Sequence, residues 1–209
     1  VCSSDLVDNG YNQQDIVQIS RAFTGWSVGY LLPANAGNPL AEDLTKRTNN
    51  PTDGNGNITN NIGLWSFVYK ARNHHPGPKY LFFETDASGY ADPARPRKVP
   101  ARFGSPWAGR DYSLLISGGI REDSTIEEGR QILRHMADQP FAQEFICVKL
   151  CRLFVHDGFQ HGYDFTDTEV SPEEKLVHDC MLAWETPPHG GPKGQIRDVL
   201  RVIFASELF

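Results

Sequence analysis

The sequence predicts a mainly α fold. It consists of a C-terminal bundle-like helical core and an N-terminal helix, with a long loop-rich Gly/Pro/Asn excursion between them that has room for a short hairpin. Three observations predict it. The stretch Asp138–Val155 is the longest apolar run at helical steps, with Phe141, Phe145, Val148 and Leu150 through Phe154 recurring every three or four residues. A stripe that wide has to be covered by other helices. Periodic runs flank it on both sides, the clearest of them opened by residues that cap helices. From Gly29 to Gly119, by contrast, helical periodicity fades.

Taken in order, Asn12–Trp26 reads as the first helix. Asn12 can cap its first turn and Asp15 stands where a capping-box acid belongs. Ile16, Ile19, Phe23 and Trp26 share one face, and Gly25 suits a left-handed stop. Arg21 lies off that stripe as a solvated or snorkelling side chain. Within the excursion only Leu64–Tyr69 and Lys79–Phe83 look extended. A connection this long inside a compact domain is expected to be ordered, anchored by Trp65, Phe67, Tyr80, Phe82 and Trp107.

Ser124–Glu127 matches a capping box and opens a helix through Met136, with Ile132, Leu133 and Met136 inward and Gly129 weakening it slightly. The central helix starts with Asp138 as cap and Pro140 in the first position. It is expected to place Phe145, Leu150, Leu153 and Phe154 at the centre of the core. Ser171-Pro172-Glu173-Glu174 is the strongest helix start, with Leu176, Val177, Cys180, Met181 and Trp184 inward. Thr186–Gly194 breaks that helix. Gln195–Ser206 is the last one, with Ile196, Val199, Leu200, Ile203 and Phe204 inward. The chain reads as one domain over 1–209, with the N-terminal helix in 1–28, the excursion in 29–119 and the helical core in 120–209.

Composition narrows the function classes. The 209 residues carry 39% hydrophobic and 22% charged side chains, with net charge −6 and pI near 5.6. That acidic balance argues against a general nucleic-acid or anionic-membrane binder. No apolar run approaches the roughly 20 residues of a membrane helix. The chain opens on Val1, and the segment VCSSDL looks unrelated to the rest of the chain, so a fragment of a longer protein is expected. Cys2, Cys147, Cys151 and Cys180 are too sparse for a disulfide scaffold and read as core thiols, their redox state left open.

Three clusters carry candidate chemistry. Asp53–Ile58 resembles half of a calcium loop, but Pro51 and Ile62 occupy key ligand positions, so an Asn/Gly turn is the better reading. Asp157, Asp164, Asp167 and Glu169 crowd one loop with His156 and His161, at a spacing that fits no strong metal template. His74-His75-Pro76-Gly77-Pro78-Lys79 pairs imidazoles with a lysine on a rigid turn. There is no phosphate loop, no G-x-S-x-G elbow and no paired CxxC. Neither a cofactor nor a metal is called for.

The landmarks line up with a known pattern. Gly10-Tyr11, Asp15-Ile16-Val17 and Arg21-Ala22-Phe23-Thr24-Gly25-Trp26 precede His74, Gly77 and Lys79. Next comes a run through Pro140, Ala142, Phe145, Ile146, Lys149, Leu150, Phe154 and Val155, closed by Val199–Arg201 and Ser206–Phe209. This order resembles the bacterial family named domain of unknown function 1800, with His75 where the family pattern has Asp and Gln139 where it has His. The resemblance implies a largely helical, typically exported bacterial protein, periplasmic or secreted, and brings no established reaction. It leaves two expectations. One is a structural or interaction module with a protein partner at the cell envelope. The alternative is an enzyme or a ligand- or metal-binding protein whose site lies near the His74–Lys79 turn and the helix end at Arg21 and Trp26. In that alternative the four residues either line an anion pocket or clamp the helix end, with Lys79 capping it and His74 packed on an aromatic ring.

Overall fold

The computed structural model describes residues 10–41, 64–119 and 122–209. Its helices are α1 (Gln13–Ala22), α2 (Ile126–Ala137), α3 (Pro140–Phe154), α4 (Pro172–Glu185) and α5 (Ile196–Phe204). Its strands are β1 (Trp26–Leu31), β2 (Leu64–Tyr69), β3 (Lys79–Leu81), β4 (Phe83–Thr85), β5 (Ala91–Pro96) and β6 (Leu114–Ile116). They pair two by two, β1 with β2, β3 with β6 and β4 with β5. The described residues are 41% helical and 16% strand, a mixed α/β fold, which corrects the mainly α expectation. Strands of three to six residues are too short for alternation to register, so the sequence shows only the Gly, Pro and Asn punctuation between them. Among the described residues no helix is long and apolar enough to cross a membrane.

Two compact units make up the chain. The helical unit comprises residues up to 16 with 80–115 and 131–209, and the hairpin unit comprises 17–79 with 116–130.

In the helical unit, α3 is central, but not through the face its apolar residues suggest. Its buried side chains are Pro140, Gln143, Glu144, Cys147, Val148 and Cys151. Leu153 is 72% exposed, Phe145 and Phe154 are exposed as well, and Leu150 is half-buried. An apolar stripe that wraps more than half the cylinder gives periodicity no single face to choose. The choice is made by two buried polar residues that find partners. Glu144 takes two bonds from Arg102 (2.9 and 3.2 Å) and two from the backbone N–H groups of Gly162 and Tyr163 (2.8 and 3.2 Å). Gln143 donates to Glu185 at 3.0 Å.

Glu185 also receives Arg110 at 2.6 Å and Lys193 at 2.9 Å. Burial alone would raise its pKa, but the bonds from Lys193, Arg110 and Gln143 outweigh it and hold the carboxyl below its ordinary value. A carboxylate whose folded pKa is depressed stabilises the fold above its unfolded pKa, and that contribution is lost as pH falls through the folded value. Glu185→Gln is therefore expected to flatten the loss of stability in urea melts below about pH 4.5. An unchanged acid limb would contradict this assignment.

The predicted stripe of α4 is buried at every position, Leu176, Val177, Cys180, Met181 and Trp184. Its cap is present too, with Ser171 Oγ accepting from the Glu174 N–H at 3.1 Å. In α5, Val199 and Ile203 are buried, while Ile196 and Phe204 are exposed. The start of α1 is reciprocally capped: the Asn12 N–H donates to Asp15 Oδ2 (2.7 Å) and the Asp15 N–H to Asn12 Oδ1 (3.0 Å). Asp15 also accepts from Arg97 (3.1 Å) and from the Phe82 N–H (2.6 Å). That last bond holds Phe82 at φ +60°, a kink that splits the single extended run expected over Lys79–Phe83 into β3 and β4. Two other helix starts differ from expectation. Gln139 stands at the cap of α3 without a side-chain bond. Ser124 bonds Glu122 instead of forming a capping box, because a 3₁₀ turn over Asp123–Thr125 leads into α2. Leu133 and Met136 of α2 face solvent, as does Ile16 of α1.

In the hairpin unit, β1 and β2 run antiparallel with Val28 opposite Phe67, Tyr30 opposite Trp65 and Leu31 opposite Leu64. Leu31 and Val68 are buried, whereas Trp65 and Val28 on the other face are 68% and 63% exposed. Trp26 packs edge-on against Phe23 (4.6 Å) and tilted against Phe67 (4.9 Å). Gly129 on α2 makes room for its indole, since a Cβ there would lie 2.6 Å from Trp26 Cζ2. Gly129→Ala gains about 1 kcal/mol of helix propensity. It overpacks a ring already held by two others, which costs about 1–3 kcal/mol. The variant is expected to melt below the parent, and a higher midpoint would contradict this packing.

Candidate functional site

The hairpin unit holds the His74–Lys79 turn against the end of α1 and the first turn of α2. Gly25, at φ +89°, stops α1 and turns the chain into β1. The freed groups at that helix end are taken up by the turn. Thr24 Oγ1 donates to the Arg21 carbonyl (2.5 Å) and accepts from the His75 N–H (2.7 Å). His74 Nδ1 lies 2.9 Å from the Thr24 carbonyl, which can only accept, so Nδ1 carries a proton. The far side of the turn is fixed at Gly118, where a Cβ would sit 2.6 Å from the Pro76 carbonyl oxygen, and the Gly119 N–H donates to that carbonyl at 3.0 Å.

Lys79 and His74 are both fully buried. An ammonium has three protons, and three acceptors surround this one: the His75 carbonyl at 2.6 Å, His74 Nε2 at 3.3 Å, and the Glu128 carboxylate in direct contact. Glu128 Oε2 is also 3.1 Å from His74 Nε2. The lysine thus bridges an imidazole and a carboxylate that face the same point. Around this core, the His74 ring lies 6.0 Å from the Tyr69 ring, and Tyr69 bonds the Thr125 hydroxyl at 2.6 Å. Burial raises the Tyr69 hydroxyl above its ordinary value and keeps it protonated. His75 is shifted down by burial and then by the positive charges of Arg21 and Lys79, which favours neutral imidazole.

Of the four predicted site residues, His74 and Lys79 therefore form one cluster. Lys79 does not cap the helix end; its donors go to the turn and to Glu128. Arg21 is exposed on α1, and Trp26 lies half-buried among Phe23, Phe67 and Gly129. Its indole Nε1 meets no hydrogen-bond partner among the described residues. Sequence reasoning missed Glu128. The available signal was its spacing one turn before Ile132, which the sequence places inward on the same face.

The other candidates lie elsewhere. The Asp53–Ile58 loop and Cys2 fall outside the described residues. Asp164 accepts from Thr166, His156 faces Glu173 at 3.7 Å, and His161 stacks on Phe145 at 5.4 Å. No group of three or more potential metal ligands gathers among the described residues. Cys147, Cys151 and Cys180 are free and buried. Hydrogen bonding to Cys180, and then burial, raises the Cys151 thiol; hydrogen bonding to Cys147 is the first cause for Cys180, with burial adding to it. Both stay protonated and act as packing groups.

The fold and this buried His–Lys–Glu cluster define a mixed α/β protein with an internal polar clamp. The family model described as protein of unknown function (DUF1800) matches residues 7–209, and the chain belongs to that family. Comparisons with curated proteins and with solved structures found no match.

Proposed function

We propose that this chain is a structural or interaction module of an exported bacterial protein, and that the His74–Lys79–Glu128 cluster is its internal clamp. One observation carries the reading. His74 and Lys79 are fully buried, and all three lysine donors are spent on protein acceptors. A base or anion-binding group at work on a substrate keeps a free lone pair or donor facing a pocket. Here those atoms join the end of α1 to β3 and α2 instead. Arg21 is exposed and Lys79 fully buried, which favours a clamp over an anion pocket lined by both.

Two measurements test the proposal. Fractionation of cells expressing the full-length gene product is expected to place it outside the cytoplasm, and cytoplasmic retention would contradict export. His74→Asn is expected to lower the melting midpoint and any cellular function together. Lost function at unchanged stability would return the cluster to the enzyme reading.

A further inference from the structure

We propose that Lys79 and Glu128 are a covalent cross-linking pair, joined through an amide between Nζ and Cδ, with His74 carrying the proton. The inference deepens the clamp reading and rests on it. The reactants are a primary amine in direct contact with a carboxyl group, the amine fully buried and the carboxyl 8% exposed. Intramolecular groups held this way reach effective concentrations of about 10⁵–10⁸ M.

The surroundings suit each step. The His75 carbonyl at 2.6 Å holds one N–H of Lys79 and so aims the nitrogen. His74, its Nδ1–H fixed on the Thr24 carbonyl, presents Nε2 to both reacting groups, 3.3 Å from Nζ and 3.1 Å from Glu128 Oε2. It can take a proton from the lysine and deliver it to the departing oxygen. Nζ attacks Cδ, the Nζ–Cδ bond forms and the Cδ–Oε2 bond breaks. Two of the three ammonium protons leave with Oε2 as water, and the third remains on the amide nitrogen. No oxidant or co-reactant is consumed. The product is neutral, removes two buried charges, and ties the first residue of β3 to the first turn of α2 through a bond that unfolding does not open.

Intact-mass spectrometry of the purified chain tests this without any variant. The expected mass is that of the sequence less one water. After trypsin, cleavage beside Lys79 should be lost and the Glu122–Arg130 peptide should appear joined to the peptide containing Lys79. Glu128→Ala should restore the sequence mass and the cleavage. A wild-type mass equal to the sequence, or a water loss that maps elsewhere, would overturn the cross-link. The clamp would survive that result if Lys79→Met still destabilised the fold, so the two ideas fail separately.

Discussion

Lys79→Met is expected to cost about 3–5 kcal/mol, the penalty for leaving a buried carboxylate without its partner. Methionine keeps most of the stem volume, so packing contributes little. What is lost is the Lys79 nitrogen that meets Glu128, the His75 carbonyl and His74 Nε2 together. Glu128 has little solvent to turn to. Urea unfolding of parent and variant measures the effect. A cost under about 1 kcal/mol, typical of an exposed ion pair, would mean that the pair is solvated.

Trp107→Ala is expected to cost about 3–5 kcal/mol, as a large ring removed from a closed core. Trp107 is fully buried and meets the His178 ring edge-on at 5.8 Å. Leu153→Ala, on the face of α3 that the sequence places in the core, is expected to stay within about 0.5 kcal/mol of the parent. The Leu153→Ala melt, with Trp107→Ala as the scale for a buried residue, decides between the two assignments of the α3 core. Equal losses would restore the face carrying Leu153.

These two residues show what the sequence makes legible. Trp107 is the anchor that its context implies, because an indole in a polar segment has few places to go but inward. The same logic fails for Trp65, which stands on the outer face of a hairpin. Local signals read well: the Asn12–Asp15 and Ser171–Glu174 caps, the stripe of α4 and the stop at Gly25 all depend on residues within one turn. Faces set by distant partners do not. Glu144 and Gln143 turn α3 inward through Arg102 and Glu185, which lie 42 positions away in the chain. Glu128 likewise becomes part of the site only because folding brings Lys79 to it across 49 positions. Gly129 reads as a weak point of α2 and is the space that Trp26 requires.

The central claim is that Lys79 and Glu128 act as one buried unit, and a double-mutant cycle of Lys79→Met and Glu128→Leu in urea tests it most directly. Each single variant leaves an unmatched polar group, whereas the double variant replaces the pair with apolar side chains, an exchange that is often neutral. The account predicts that the double variant is more stable than either single one, with a coupling of about 0.5–3 kcal/mol. Additive losses, within about 0.5 kcal/mol, would contradict it.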